Sequence, residues 1–322
     1  MNVNTKLTPR VSTIIGALVA DSAALGLHWL YDSDRIAQIE KTKGLVFLQP
    51  EVENYANVKG FFAHGYKVAG DASGYGETCL LILKHLVAHG EFKRIAFQSE
   101  YRSHFGPGGA YKGYIDTPTR LTLLKLIPLA PEDFPEVSGA DDDQFAALAT
   151  VPVITAMHNG TLDDLLEKVE CVVRLTNHND IAVTAAKYAA SVLYSVLNGN
   201  SINEGLEKSL PLAGEKLTSL LNEAISTDTM NSVAMAARFG SACHVLEGLP
   251  VIAHIVKHAK SFQDAVEANI RAGGDSCGRA IMLGAISAAQ AAMQNEVEIC
   301  IPLSWLAKYN NLSVAADACS CL

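Results

Sequence analysis

Basic charge, aromatic rings and strand-like alternation are all scarce in this 322-residue chain. Lys and Arg total 25 against 34 Asp and Glu, a net charge of −9 with a pI near 5.6. That balance argues against a nucleic-acid surface or a patch that docks on anionic membranes. No uninterrupted apolar run approaches the ~20 residues of a membrane span. Residues 1–10 lack the charged-then-apolar layout of a signal peptide. The seven cysteines, Cys79, Cys171, Cys243, Cys277, Cys300, Cys319 and Cys321, are odd in number and scattered. Reduced thiols in a cytoplasmic protein are expected rather than a disulfide frame. Cys319-Ser-Cys321 lacks the two-residue spacer of zinc and redox motifs and reads as a frayed tail. Among β-branched segments only Val151 to Ile154 resembles a strand, and it falls inside a helical pattern.

Apolar content is what the chain has in abundance: 49% hydrophobic residues with only 18% charged, enough to bury a large core. Val11, Ile14, Ile15, Leu18 and Val19 recur at helical spacing. Residues 80–87 continue a helix that Gly90 ends, and Thr117-Pro118 reads as an N-cap followed by proline. Thr161 with Asp164, Ser201 with Glu204 and Ser261 with Asp264 are capping patterns. They open or separate helical runs over 162–174, 181–197, 202–225 and 262–270. The longer irregular stretches are 31–72, 106–117 and 129–141. The pattern predicts one all-α domain over residues 1–322, with long loops around one cleft.

Gly273-Gly274-Asp275-Ser276-Cys277-Gly278-Arg279 is the most informative run. Two glycines deliver Asp275 to the front of a helix rich in small residues, where free N–H groups orient a carboxylate. The plain alternative is an ordinary helix-capping acid. Residues 104–120 carry four glycines, among them Gly106, Gly108 and Gly109, with Tyr111 and Tyr114 to stack on a base and Lys112 and Arg120 to pair with phosphates. This loop matches neither a P-loop nor a dinucleotide fingerprint. His85/His89 and His254/His258 have the i,i+4 spacing of metal ligands, with no third ligand nearby in the sequence. Asp141-Asp142-Asp143 before Phe145 reads as a solvated acidic run favouring a helix dipole.

Four motifs in order resemble the ADP-ribosylglycohydrolase superfamily. They are Gly16-Ala17-Leu18-Val19-Ala20-Asp21 with His28-Trp29, Tyr75-Gly76-Glu77-Thr78, Thr176-Asn177-His178-Asn179, and Gly273-Gly274-Asp275-x-Cys277. The resemblance implies an all-α fold and a pocket for ADP-ribose, which a glycine-rich loop and residues such as Asn177 and Asn179 line. It also implies a pair of Mg²⁺ or Mn²⁺ ions held by oxygen ligands.

This chain departs from the family where those ions bind. The opening-loop acid becomes His28; Tyr75 and Gly76 replace Thr and Asp; Cys277 and Gly278 replace Asp and Thr. A two-Mg²⁺ site is not expected. The departures resemble the branch that includes the J1 crystallins of jellyfish lenses. His28, Glu77, Asp275 and Cys277 are expected to converge, either on a single softer ion such as zinc or, without metal, around Glu77 or Asp275 as general base. In the latter case Asp275 positions and Glu77 deprotonates. The plain alternative is packing and helix capping. The resemblance therefore implies a hydrolase of N- or O-glycosidic bonds of ADP-ribose or a related nucleotide sugar, or else a catalytically silent lens protein.

Overall fold

The chain folds around two helices that carry almost no bulk where they cross. In the computed structural model, which describes residues 7–294 and 300–322, Gly16 on the first helix faces Gly284 and Ala288 on the fourteenth. A methyl group at Gly16 would meet the Ala288 Cβ and lie 2.6 Å from the Gly284 carbonyl oxygen. The helices are α1 (Pro9–Ala24), α2 (Ser33–Lys43), α3 (Gly74–His89), α4 (Arg94–Phe105), α5 (Thr117–Leu126) and α6 (Val151–Met157). They continue as α7 (Leu162–Val173), α8 (Asp180–Leu197), α9 (Ile202–Ser209), α10 (Gly214–Ser226), α11 (Ser232–Phe239) and α12 (Val245–His258). The series ends with α13 (Phe262–Arg271), α14 (Ser276–Gln294), α15 (Leu303–Leu306) and α16 (Leu312–Cys319). No strand is present among the described residues, only isolated bridges. Both α1 and α14 are buried on every side over most of their length, as a helix apolar all round must be. Helices α3, α6, α8, α12 and α13 pack about this pair.

The all-α architecture agrees with the capping patterns, and several details differ. The Thr161/Asp164 and Ser201/Glu204 capping boxes are complete. At Ser261 only half the box forms, because the Asp264 carboxylate takes the Lys260 N–H instead. The cap of α5 is Asp116, not Thr117; its Oδ1 accepts from the Thr119 N–H at 2.8 Å. The run 202–225 is two helices, split at Leu210-Pro211-Leu212. Helix α2 sits inside the stretch read as irregular, its apolar positions too few to stand out. The tail is not frayed: Cys319 is buried at the end of α16. The segment Pro9–Leu27 is long and apolar enough on average to cross a membrane, although Arg10 and Asp21 interrupt its apolar run, and 94% of its most apolar stretch is buried inside the protein. No disulfide joins the cysteines among the described residues.

One buried acid ties α1 to α3. Asp21 accepts hydrogen bonds from the Ser73 N–H at 2.8 Å and from the Ser73 hydroxyl. Its carboxylate occupies the space that a side chain at Gly76 would need, the Asp21 Cγ lying 2.9 Å from a Cβ built there. Burial raises its carboxyl to about 6, against the opposing hydrogen bonds from Ser73. A raised folded-state value favours the protonated form. That contribution to stability is complete below the unfolded value near 4 and is lost as pH rises through about 6.

Two predictions follow from this packing. Gly16→Ala should destabilise the fold by about 1–3 kcal/mol in urea unfolding, because neither the Ala288 methyl nor the Gly284 backbone can yield cheaply. Wild-type stability minus that of Asp21→Asn should fall by about 2–3 kcal/mol between pH 4 and pH 7. A difference that stays flat across that range would show Asp21 to be ionised at no cost.

Candidate functional site

Backbone conformation places the central acid. Gly273 and Gly274 have φ of +70° and +65°, the left-handed region that a side chain strains. The turn they make is stitched to the segment after α1: the Gly274 N–H donates to the Leu30 carbonyl and the Trp29 N–H to the Gly274 carbonyl, both at 2.7 Å. Arg279, wholly buried, braces the turn from beneath by donating to Asn269 Oδ1 at 2.8 Å and to the Gly273 carbonyl. Trp29 itself takes φ +62°, a strained conformation held by this stitching.

Asp275 is thereby set against three donors. Its Oδ1 accepts from His28 Nε2 at 2.9 Å and from the Gly278 N–H at 2.8 Å; its Oδ2 accepts from the Tyr75 hydroxyl at 2.9 Å. It caps α14 and organises the site at once. Burial alone would raise its carboxyl, but His28, together with the hydrogen bonds from His28, Gly278 and Tyr75, outweighs this and holds it below the usual value. Burial and the Asp275 charge push the Tyr75 phenol far up, so it remains a donor.

The chain of contacts extends one ring further. His28 Nδ1 lies 2.7 Å from His64 Nε2. An ionised Asp275 can only accept, so His28 carries a proton on Nε2; in the neutral ring its Nδ1 lone pair then accepts from the His64 Nε2–H. His64 Nδ1 is then a buried nitrogen with no hydrogen-bond partner among the described residues. Burial above all, with the nearby Lys67 charge, holds His64 well below the ordinary imidazole value, which keeps it neutral. Sequence reading missed His64, which stands alone in an irregular stretch with no spacing to mark it.

These groups open onto a small recess, with room for about one water molecule (about 20 Å³), lined by His28, Trp29, His64, Gly74, Tyr75, Phe105, Tyr114, Ile115, Asp116 and Thr119. Trp29 lies 4.2 Å from His28 and meets Tyr114 edge-on at 4.9 Å. Asp116 brings a second carboxylate, raised to about 6 by burial against the hydrogen bonds of its cap.

The other expected site residues lie elsewhere, for geometric reasons. Successive helical positions turn ~100°, so Glu77 faces nearly away from Tyr75. It lies 3.0 Å from His104 Nε2 and 3.9 Å from Lys67 Nζ, outside the recess. Cys277, two positions after Asp275, turns its thiol to the Asp21 carbonyl at 3.5 Å; burial and the Asp21 and Asp275 charges push that thiol far up. The four expected metal ligands therefore do not converge. Nor do the residues fit a pair of hard cations: both Asp275 oxygens are taken by protein donors, and Gly76, Cys277 and Gly278 offer no oxygen side chain. In the glycine loop, the Gly109 N–H bonds the Gly106 carbonyl and the Tyr111 N–H the His104 carbonyl, so Gly106, Gly108 and Gly109 close on themselves. The Tyr111 hydroxyl donates to the Tyr114 carbonyl, and Tyr114 alone of these reaches the recess. Asn177 donates to the Asp142 and Gln144 carbonyls, while Asn179 caps α8 beside a separate open groove.

His85 and His89 do have a third partner that spacing could not show, Glu100 on α4. Yet His85 Nε2 accepts the Lys93 N–H at 3.0 Å, so its proton sits on Nδ1, facing Glu100 at 2.8 Å. A metal there would have to displace that proton and leave the ring anionic. The cluster reads as a clamp between α3 and α4. His254 is spent on the Ala224 and Met230 carbonyls.

Comparison with known proteins agrees with the motif reading. The family description ADP-ribosylglycohydrolase matches residues 7–320. Crystallin J1A of Tripedalia cystophora is 29% identical over 310 residues, covering 92% of this chain and 90% of that protein. Crystallin J1B of the same animal is 27% identical over 311 residues, with the same coverage. Among solved structures, an ADP-ribosylglycohydrolase-related protein complex aligns with a TM-score of 0.66 at 15% identity over 96% of this chain and 95% of that one, a likeness of fold. With its motifs in order, its helices arranged as in that fold and the match running nearly end to end, the chain belongs to the ADP-ribosylglycohydrolase family.

Proposed function

We propose that this protein hydrolyses a glycosidic bond of ADP-ribose or a related nucleotide sugar without a metal ion, with His64, His28 and Asp275 acting in series as the base. The observation that carries this reading is the bare Nδ1 of His64, an unpaired polar atom beside a recess. Leaving such an atom unpaired costs about 1–3 kcal/mol, a cost that function explains better than packing does.

The series resolves a difficulty. His64 alone is a poor base, because burial disfavours its cation. Coupled to His28 it need not hold the charge. Water gives a proton to His64 Nδ1 as the His64 Nε2 proton passes to His28 Nδ1, and the water oxygen bonds to the anomeric carbon. The bond to the leaving group breaks with its electron pair. The new positive charge rests on His28, 2.9 Å from the Asp275 carboxylate. When the product leaves, the proton returns to solvent or to the departing group. Asp275 is a positioning residue here, and the base role expected of Glu77 passes to the histidines. The recess, with room for about one water molecule, holds the attacking water, and the sugar end of the ligand lies across its mouth. Tyr114, with Tyr111, Gly106, Gly108 and Gly109 behind it, forms the rim, and Asn177 and Asn179 have no part.

The similarity to crystallins J1A and J1B favours a second reading, a catalytically silent structural protein. The test separates them. Chelator-treated protein is assayed against a panel of ADP-ribosyl conjugates and nucleotide sugars. Turnover should persist, and His64→Gln and Asp275→Asn should each lower kcat by about 10²–10⁴-fold with melting temperatures little changed. Activity that vanishes with the chelator and returns with Mg²⁺, or wild-type-like rates in both variants, would contradict the proposal. No turnover of any member by the wild type would leave the crystallin-like reading.

A further inference from the structure

Two Asn-Gly pairs occur in the chain, Asn159-Gly160 and Asn198-Gly199, and the fold treats them differently. The side-chain amide of such a pair is open to attack by the glycine's own backbone nitrogen, because no Cβ obstructs the approach. At Asn198 the parts are tied down. It ends α8, its Nδ2 donates to the Tyr194 carbonyl at 2.8 Å, and the Gly199 N–H donates to the Val196 carbonyl at 3.0 Å. Asn159-Gly160 is exposed in the loop from α6 to α7. Neither the Gly160 N–H nor Asn159 Nδ2 makes a hydrogen bond among the described residues. Asn159 Oδ1 instead accepts from Arg10 Nη1 at 2.5 Å, and that cation draws electron density from the amide carbon. Packing also fixes glycine at this position, since a Cβ on Gly160 would stand 2.8 Å from His158 Cε1.

We infer that Asn159 is a site of spontaneous modification, converted in the folded protein to aspartate and isoaspartate with water as the co-reactant. The Gly160 nitrogen bonds to Asn159 Cγ and gives up its proton, while the Cγ–Nδ2 bond breaks and Nδ2 leaves, with a proton from solvent, as ammonia. His158 is not the base. Its Nε2 donates to the Thr161 carbonyl at 2.8 Å and its Nδ1 faces Lys168 Nζ, so hydroxide from solvent takes the Gly160 proton. Water then opens the cyclic imide. Attack at Cγ gives aspartate, and attack at the backbone carbonyl gives isoaspartate. Aspartate sets a carboxylate against Arg10, between the start of α1 and the α6–α7 loop. Isoaspartate lengthens the main chain by one methylene two residues ahead of Thr161, whose side chain and that of Asp164 close the capping box of α7. The start of α7 then opens more easily. No residue of the recess takes part, so the inference stands or falls apart from the hydrolytic reading.

The whole protein is aged in warm buffer at pH 7 and at pH 8.5, with and without denaturing urea. Its peptides are followed by mass spectrometry for the gain that accompanies conversion of an amide to an acid. In the folded protein Asn159 should convert faster than Asn198 by roughly tenfold, about what one hydrogen bond to the attacking N–H is worth. The rate at Asn159 should rise with pH, because hydroxide removes the proton. In urea, where both pairs are released, the two rates should come together. Asn159→Gln keeps an amide within reach of Arg10 but needs a larger ring to close, so it should show no gain at this position while Asn198 behaves as before. The isoaspartate form, separated from the aspartate form with Asn159→Asp protein as the marker, should exchange amide hydrogens faster at the start of α7. Equal rates at the two pairs in the folded protein, faster conversion at Asn198, an excess at Asn159 that persists in urea, or no gain at Asn159 would each overturn the inference.

Discussion

A negative charge in the middle of an apolar protein has to be answered, and in this molecule the charge is Asp275. Among the described residues no lysine or arginine is hydrogen-bonded to it; its partners are one imidazole, one phenol and one backbone N–H. Each donor reaches it from a different part of the chain. His28 follows α1, Tyr75 opens α3, and Gly278 lies in the first turn of α14. Only helices that approach closely can bring all three to one carboxylate, which is why the α1/α14 crossing is built from Gly16, Gly284, Ala20 and Ala288. The Gly273–Gly274 turn, its pairing with Leu30 and the buried Arg279 under it serve the same end.

That charge also dictates protonation around it. It fixes a proton on His28 Nε2; with that ring neutral, His64 donates from Nε2 to His28 Nδ1 and keeps its own unpartnered Nδ1 beside the recess. A metal would compete for the same oxygens. The substitutions at Tyr75, Gly76, Cys277 and Gly278 therefore form one coherent change: the Tyr75 hydroxyl caps an oxygen a hard cation would take, and Gly76 admits the Asp21 carboxylate. Around Asp275 the protein supplies hydrogen bonds where the family resemblance implies cations. What it then offers a ligand is an aromatic, acidic recess.

The fold was legible because helix caps and 3.6-residue periodicity are local signals, and the Gly-Gly-Asp run marks its own turn. Asp275 was legible for the same reason. His64 was not: its partner His28 is 36 positions away, and nothing in an irregular stretch shows which ring will stack on which. Glu77 and Cys277 misled because the family motif names neighbours in sequence, while a helix sends residues two positions apart to opposite sides. Glu100 escaped notice beside His85 and His89 because it arrives from another helix. The role of Asp116 as cap appeared one residue early, hidden by the stronger signal of Thr117-Pro118.

The central claim is a protonation pattern, and it can be read directly. Long-range ¹H–¹⁵N NMR of the imidazole nitrogens distinguishes protonated from bare positions in each ring. At pH 7 the account predicts His28 protonated at Nε2 and unprotonated at Nδ1, with His64 neutral, its proton on Nε2 and a free lone pair on Nδ1. In Asp275→Asn the His28 pattern should change. A His64 that carries its proton on Nδ1 or titrates as an ordinary imidazole, or a His28 indifferent to loss of the Asp275 charge, would contradict the account.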